Sequence, residues 1–506
     1  MPTSHIQHTR PVSWLYCMMK SLCHIIFIST LGLANVSHAS GHVTALTNDF
    51  SKAEKYELFP GGATSHTKLI NKDVFSHPST NMSFERKMDF EVGNGFFKRL
   101  WVSAPSSTQA TDGLGPLFNA RACQRCHIKD GRGHPPNGPN DSAVSMFLRL
   151  SIPPQNEKQK RLLNERRISV IPEPTYGTQL QDFAIQGHKA EGRIVINYEE
   201  FGIKLADGDI VRLRKPNYAI TNLGYGSLHP QTMISPRVTP QMIGLGLLDA
   251  IHEKDILSQA DPKDIDGDGI SGKANMVWSA LHKKPMLGRF GWKVGSPSIE
   301  EQSQAAFSGD MGISVPLHPS GAGECTDKQI ECQEAPSGNS PQYENLEAHS
   351  AVTDLVSFYS SNLSVPARRN HTDPEVLSGK KLFYQSGCVG CHRPKYITQT
   401  LPDKPEQSHQ LIWPYTDLLL HDMGIGLADN RPEGLANGRE WRTPPLWGIG
   451  LIPVVNGHSY YLHDGRARNL LEAIMWHDGE ARQSRDAVIR MSRQERDHLI
   501  RFIESL

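Results

Sequence analysis

Hydrophobic and polar positions change their period along the chain, and each change marks an element. Residues 85–127 read as helix and loop and end in FNARACQRCH. Between about 140 and 250 the runs VSMFLRLSI, GRIVINYEEF and DIVRLRKPNYAI alternate or cluster β-branched and aromatic residues, which predicts strands of an inserted β-rich part. Residues 255–340 are rich in loops and hold a Gly/Asp turn cluster. Helical spacing returns over 344–363, where Leu346, Val352, Leu355, Val356 and Tyr359 recur. A linker follows over 364–373, and a further module begins with EVLSGKKLFYQSGCVGCH. Residues 40–84 are polar and mixed and predict an extended lead-in.

A weak internal echo divides the chain. RACQRCH resembles SGCVGCH, PQMIGLGLLDAI (240–251) resembles PPLWGIGLI (444–452), and SIEEQSQAAFSGDMG (298–312) follows its echo much as LLEAIMWHDGEA (470–481) follows the other. The expectation is two related modules, the first carrying a long insertion: 85–340, with the β-rich part at about 140–250 and an Asp-rich loop at 264–272, and then 341–506.

The N-terminus alters the setting. Arg10 and Lys20 precede a short apolar stretch, Ser21 to Ala34, and Ser37-His38-Ala39 offers small residues for cleavage. Residues 1–39 therefore read as a signal peptide and predict export to the periplasm, with Met1, Met18 and Met19 all candidate starts; the competing reading is a membrane anchor. Lys+Arg and Asp+Glu both total 53, so the basic excess of a nucleic-acid binder is missing. Apolar residues make up 38%, enough for a sizeable core, while 34 prolines and 43 glycines favour turns over a helical bundle.

Eight cysteines carry most of the chemistry. Cys17 and Cys23 would leave with the signal, and Cys325 and Cys332 predict a local disulfide in an oxidising compartment. The other four form Cys123-x-x-Cys126-His127 and Cys388-x-x-Cys391-His392. On a helical turn, residues three apart share a face, so two thiols can form thioethers to haem vinyl groups while the next histidine coordinates the iron. The competing readings are a zinc site built from two Cys-x-x-Cys knuckles and a thiol–disulfide motif. The histidine after each pair, the long separation and the export signal weigh against the first, and no βαβ context supports the second. The expected fold is mainly α with a β-rich insertion, holding two cytochrome-c-like haem modules and two covalent haem c groups.

A second signal is Asp264-x-Asp266-x-Asp268-Gly269, whose alternating carboxylates and glycine at a sharp turn suit calcium. The twelfth position is Asn275 where a full loop would use Glu, and a metal-free Asp/Gly turn is the competing reading.

GPLFNARACQRCHIKDGRG, DIDGDGISG, GRFGW, GDMGI, YTDLLLHDMG and YYLHDGRARNLLEAIMWHDGEA together resemble the di-haem oxidoreductase, putative peroxidase family over roughly residues 85–506. That family is related to bacterial di-haem cytochrome c peroxidases and to the di-haem enzyme that matures methylamine dehydrogenase. In the peroxidases a Met after the last segment ligates the electron-transfer haem. Counting from His463, that position falls on His477, so the resemblance implies bis-His ligation of the second haem and a lowered potential. Met423 is the alternative ligand, and a surface helix residue the other reading of His477. The peroxidases also place a Glu followed by Met beside the peroxide site, and Asp310-Met311 sits in the echoing position, which implies a catalytic proton carrier; a helix-capping Asp is the alternative. For the first haem no distal histidine stands at the family spacing, and His134 reaches only if its loop folds back. Trp292 is either an inter-haem relay or a core residue.

Three functions compete at this point. One is an oxidoreductase passing electrons from the second haem to the first, where peroxide or a related oxidant is reduced. The second is an electron carrier without its own substrate, exchanging with soluble or membrane-bound donors and acceptors. The third is an oxidant of a partner protein, with the β-rich insertion as docking or shielding surface.

Overall fold

The helix preceding the first Cys-x-x-Cys-His motif begins where the chain can cap it. Ser83 is extended and its side chain accepts from the Arg86 amide, which starts α1 (Phe84–Lys98). Twelve further helices follow among the described residues. They are α2 (Cys123–Cys126), α3 (Glu157–Asn164), α4 (Leu245–Asp249), α5 (Glu253–Leu257), α6 (Ile299–Met311), α7 (Ile330–Gln333), α8 (Ser350–Ser361), α9 (Pro374–Gln385), α10 (Ile452–Asn456), α11 (Leu470–Met475), α12 (Arg482–Arg490) and α13 (Arg493–Ser505). The computed structural model describes residues 42–138, 141 and 144–506, so the signal peptide expected at 1–39 lies outside the described residues. The described residues belong to one compact unit. No described helix is long and apolar enough to cross a membrane.

Two helix pairs repeat one packing plan. α1 buries Phe90, Gly93 and Phe97 against Val352, Val356 and Tyr359 of α8. α9, capped by Asp373 with Pro374 in its first turn, buries Gly379 and Phe383 against Leu499, Phe502 and Ile503 of α13. A glycine sits at each crossing because the partner backbone leaves no room. A Cβ on Gly93 would lie 2.2 Å from the Leu355 carbonyl oxygen, and one on Gly379 would lie 1.9 Å from that of His498. The packing also moves the expected boundary: α8, which the sequence assigns to the C-terminal module, shares the core of α1 and α6.

The sheets are small and antiparallel. Strand Met146–Ser151 pairs with Met233–Val238, with Met146 opposite Val238. Between them rises a long hairpin, Arg193–Lys204 with Ile210–Thr221. Its turn reaches the C-terminal half, where Asp207 pairs with Arg496 at 2.5 Å and Asp209 with Arg493 at 2.7 Å. Lower down, Tyr218 donates to Asp464, and Arg214 donates to the carbonyls of Gly465 and Arg466. The β-rich insertion thus clamps the other half of the chain.

The lead-in is packed rather than simply extended. Glu57, buried, meets both Arg368 and Lys380, and strand His42–Val43 pairs with Tyr396–Ile397. Two buried cations need a buried anion, which fixes residues 54–57 against the C-terminal half. Cys325 and Cys332 form the expected disulfide.

Candidate functional site

Both Cys-x-x-Cys-His motifs line one cavity of about 640 Å³, walled mainly by apolar side chains. Cys123 opens α2 and His127 follows it, while Cys388 opens a 3₁₀ turn and His392 follows that. The two histidines have matching surroundings. His127 Nδ1 lies 3.0 Å from the Pro240 carbonyl, and His392 Nδ1 lies 2.9 Å from that of Tyr415. A carbonyl only accepts, so each Nδ1 carries the proton and each Nε2 is left as the coordinating nitrogen. Phe97, one turn past Gly93, packs on His127 with ring centroids 6.3 Å apart; Phe383, one turn past Gly379, packs on His392 at 6.1 Å. Burial holds both imidazoles neutral, lowering each pKa to about 4.

The thiols are poor nucleophiles in these surroundings. Burial, and next the Asp310 carboxylate, push Cys123 up to about 12, and burial followed by Cys391 does the same to Cys388. Thiol–disulfide chemistry needs the opposite shift. Nor do the two motifs converge on a zinc centre: among the described residues, the one group of potential ligands close enough to share a metal is Asp261, Asp264 and Asp266. The carboxylates that come together are therefore Asp261, Asp264 and Asp266 rather than the expected Asp264, Asp266 and Asp268. Asn275 is also committed elsewhere, donating to the carbonyls of Lys293 and Glu433.

Asp310 lines the cavity near the end of α6, so it does not cap the start of a helix. Gln179 Nε2 donates to its Oδ1 at 2.9 Å. Burial raises its pKa, with Arg149 pulling the other way. His477 lines the same cavity just beyond α11, and its Nδ1 donates to the Ala473 carbonyl at 2.7 Å. It lies near enough to His392 to perturb that ring's charge. Met423 lines the cavity as well, whereas His134 does not and packs on His458 instead.

Several residues here were not singled out from sequence. His421 sits between Asp417 at 2.8 Å and Glu480 at 2.7 Å, beside Cys391. Burial opposes its charge, but Cys391 and Asp417 outweigh that penalty and raise its pKa. Glu480 also accepts from Ser271 in the acidic loop, tying that loop to the His392 site. Trp441, likewise not singled out, joins Trp292 and His463 in a buried aromatic group on the cavity wall.

The residues fit a pair of haem groups. Besides the two histidines, the cavity presents the buried Arg442, whose Nε has no hydrogen-bond partner and whose guanidinium enters no salt bridge among the described residues. Burial lowers its pKa to about 10. A cation so placed suits an anionic substituent such as a haem propionate.

No curated protein matches the chain. A solved structure of Kuenenia stuttgartiensis hydrazine synthase, pressurised with xenon, is similar at 18% identity over 36% of this chain and 63% of that one, with a TM-score of 0.22. The chain spans less than two thirds of that protein. Residues 56–506 match the family described as di-haem oxidoreductase, putative peroxidase. With the match running over most of the chain and through both motifs, the chain belongs to the di-haem oxidoreductase, putative peroxidase family.

Proposed function

We propose that the chain is an exported, periplasmic c-type oxidoreductase that takes electrons from a donor protein and delivers them to peroxide or a related oxidant. The observation that carries this reading is the paired geometry of His127 and His392, each oriented through Nδ1 by a backbone carbonyl and each lining the same cavity. Cys123 and Cys126 would hold one haem and Cys388 and Cys391 the other, through thioethers. Bound there, the groups supply iron that takes up and releases single electrons and an axial position for an oxidant. His477, on the wall of the same cavity, would offer a second imidazole to the group held at the His392 site. Met423, which lines the same cavity, is the alternative.

Asp310 moves protons at the His127 site. Reducing hydrogen peroxide to two waters takes two electrons and two protons, and a buried carboxyl on the cavity wall can take up a proton and hand it on. Gln179 holds the carboxyl in place. Calcium would bind Asp261, Asp264 and Asp266 and, through Ser271 and Glu480, stiffen the His392 site.

The test is a pyridine haemochrome assay on the mature protein, followed by stopped-flow addition of peroxide to the half-reduced form. Two covalent haems per chain and peroxide-dependent oxidation of a reduced donor support the reading. Two haems that exchange electrons but ignore peroxide would favour an electron carrier, and oxidation of a partner protein would favour a protein substrate.

A further inference from the structure

Two polar routes lead outward from the neighbourhood of Asp310, and they differ in what they can carry. The first is made of amides. Gln179 Nε2 donates to Asp310 Oδ1 at 2.9 Å and to Asn119 Oδ1 at 2.5 Å, and Asn119 Nδ2 donates to Asp182 Oδ1 at 2.8 Å. A side-chain amide keeps its donor and its acceptor on different atoms, so this route orients groups and does not hand a proton along. The second route is a hydroxyl and a carboxylate. Thr178 lines the cavity; its Oγ1 donates to Glu324 Oε1 at 2.6 Å, and its amide donates to Glu324 Oε2 at 2.9 Å. A hydroxyl donates and accepts through one oxygen, so it can take a proton on one side and release its own on the other.

The fold brings this pair up to Asp310 from outside. Thr178 precedes Gln179 in the chain, and Gly309 precedes Asp310. Glu324 lies against both segments. A Cβ on Gly177 would sit 3.1 Å from its Oε2, and one on Gly309 would sit 3.5 Å from its Oε1. Gly177 also has a φ of +70°, so both its backbone and its neighbour call for glycine. Burial is the main reason the pKa of Asp310 is raised, and the nearby Glu324 charge adds to it. Glu324 is only half-buried and does not itself line the cavity, which leaves its exposed part to the solvent side. Cys325, in the disulfide with Cys332, follows it, and Thr326 donates to the Thr175 carbonyl at 2.8 Å. These ties hold the Glu324 loop on the segment that carries Thr178.

We propose that Glu324 and Thr178 form the proton entry to the cavity beside Asp310, Glu324 collecting protons from solvent and the Thr178 hydroxyl relaying them inward. A proton joins the Glu324 carboxylate. The Thr178 oxygen accepts it as the bond between them reverses, and the hydroxyl's own proton leaves into the cavity toward Asp310. Glu324 ends as a carboxylate again, and no electron moves. The proposal rests on the reading of Asp310 given above. Its rival is the amide route ending at Asp182.

The experiment follows the carboxyl band of Asp310 by infrared spectroscopy after a pH jump on the resting, haem-loaded protein, the band being assigned by its loss in Asp310→Asn. Glu324→Gln, which keeps the size of the side chain but cannot carry the proton, and Thr178→Val should each slow the appearance of the band about tenfold or more. Thr178→Ser, which restores only the hydroxyl, should keep the wild-type rate, and so should Asp182→Asn. If Glu324→Gln fails to fold, the two Thr178 variants decide alone. Wild-type rates in Glu324→Gln or in Thr178→Val would overturn the proposal. So would a Thr178→Ser protein as slow as Thr178→Val, or slowing by Asp182→Asn alone. Failure of the underlying reading would look different: Asp310→Asn would leave peroxide turnover untouched while Glu324→Gln still slowed the carboxyl band.

Discussion

The imidazole of His463 lies face to face with the indole of Trp441, ring centroids 3.7 Å apart and planes 13° from parallel. Both are buried, and Trp292 stands edge-on to the same imidazole at 6.5 Å. Burial lowers the pKa of His463 to about 3, so the ring stacks as a neutral aromatic, and the cations near Trp441, Lys293 and Arg237, add no proton to it. Trp441→Ala should cost about 3–5 kcal/mol by emptying a buried site. Trp441→Phe, which keeps a ring over His463, should cost about 1 kcal/mol. Urea denaturation of the haem-loaded protein measures both; equal losses would mean the stack contributes nothing beyond volume.

Haem attachment at the two motifs should be separable. Cys388→Ala with Cys391→Ala should remove one haem per chain and leave the Cys123 site loaded, because the motifs sit against different helix pairs, α9 with α13 and α1 with α8. Intact mass and the pyridine haemochrome read the count. Loss of both haems from the one double variant would show that the halves load as a unit.

Asp310→Asn should lower peroxide turnover by about a hundredfold or more while leaving the ferric spectrum unchanged, since the change removes a proton carrier and not a ligand. Gln179→Leu, which deletes the 2.9 Å bond to Asp310, should shift the pH profile of turnover with a smaller loss of rate. Unchanged turnover in Asp310→Asn would remove the residue from the chemistry.

The clamp of the hairpin on the C-terminal half carries a pH signature. Burial alone would raise the pKa of Asp464, but Arg466 outweighs it and holds the carboxyl at about 2, with Tyr218 adding a hydrogen bond. A lowered carboxylate pKa gives stability that is present above its ordinary value of 3.8 and is lost as pH falls through about 2. That contribution is on the order of 2 kcal/mol. Asp464→Asn should therefore lack it and, by stranding Arg466, cost about 3 kcal/mol at neutral pH. Chemical denaturation at pH 7 and pH 2.5 should show the gap between variant and wild type narrowing in acid.

Calcium should raise the thermal midpoint of the protein, and chelation should reverse the gain. Asp261→Asn and Asp264→Asn should abolish the response, while Asp268→Asn should retain it, because Asp268 stands outside the cluster. A midpoint indifferent to calcium would leave the loop as a turn that anchors Glu480 through Ser271.

Local signals in the sequence determined what local physics decides. Cys-x-x-Cys-His keeps two thiols and a histidine within one turn, so the two motifs, which the structure places on one cavity, could be read directly. The strands at Met146–Ser151, Arg193–Lys204 and Ile210–Thr221 follow from β-branched runs, and the Cys325–Cys332 disulfide from two cysteines close in sequence. The echo between the halves was visible as well. Tertiary structure decided everything that depends on residues distant in sequence. Asp261 replaced Asp268 because a loop's bends, and not its spacing, set which carboxylates converge. Helix α8 joined the first half because Gly93 lets it cross α1 closely. The lead-in became a buried ion-pair layer because Arg368 and Lys380 require Glu57. Periodicity reports which way a side chain faces along its own element; only packing determines what it faces.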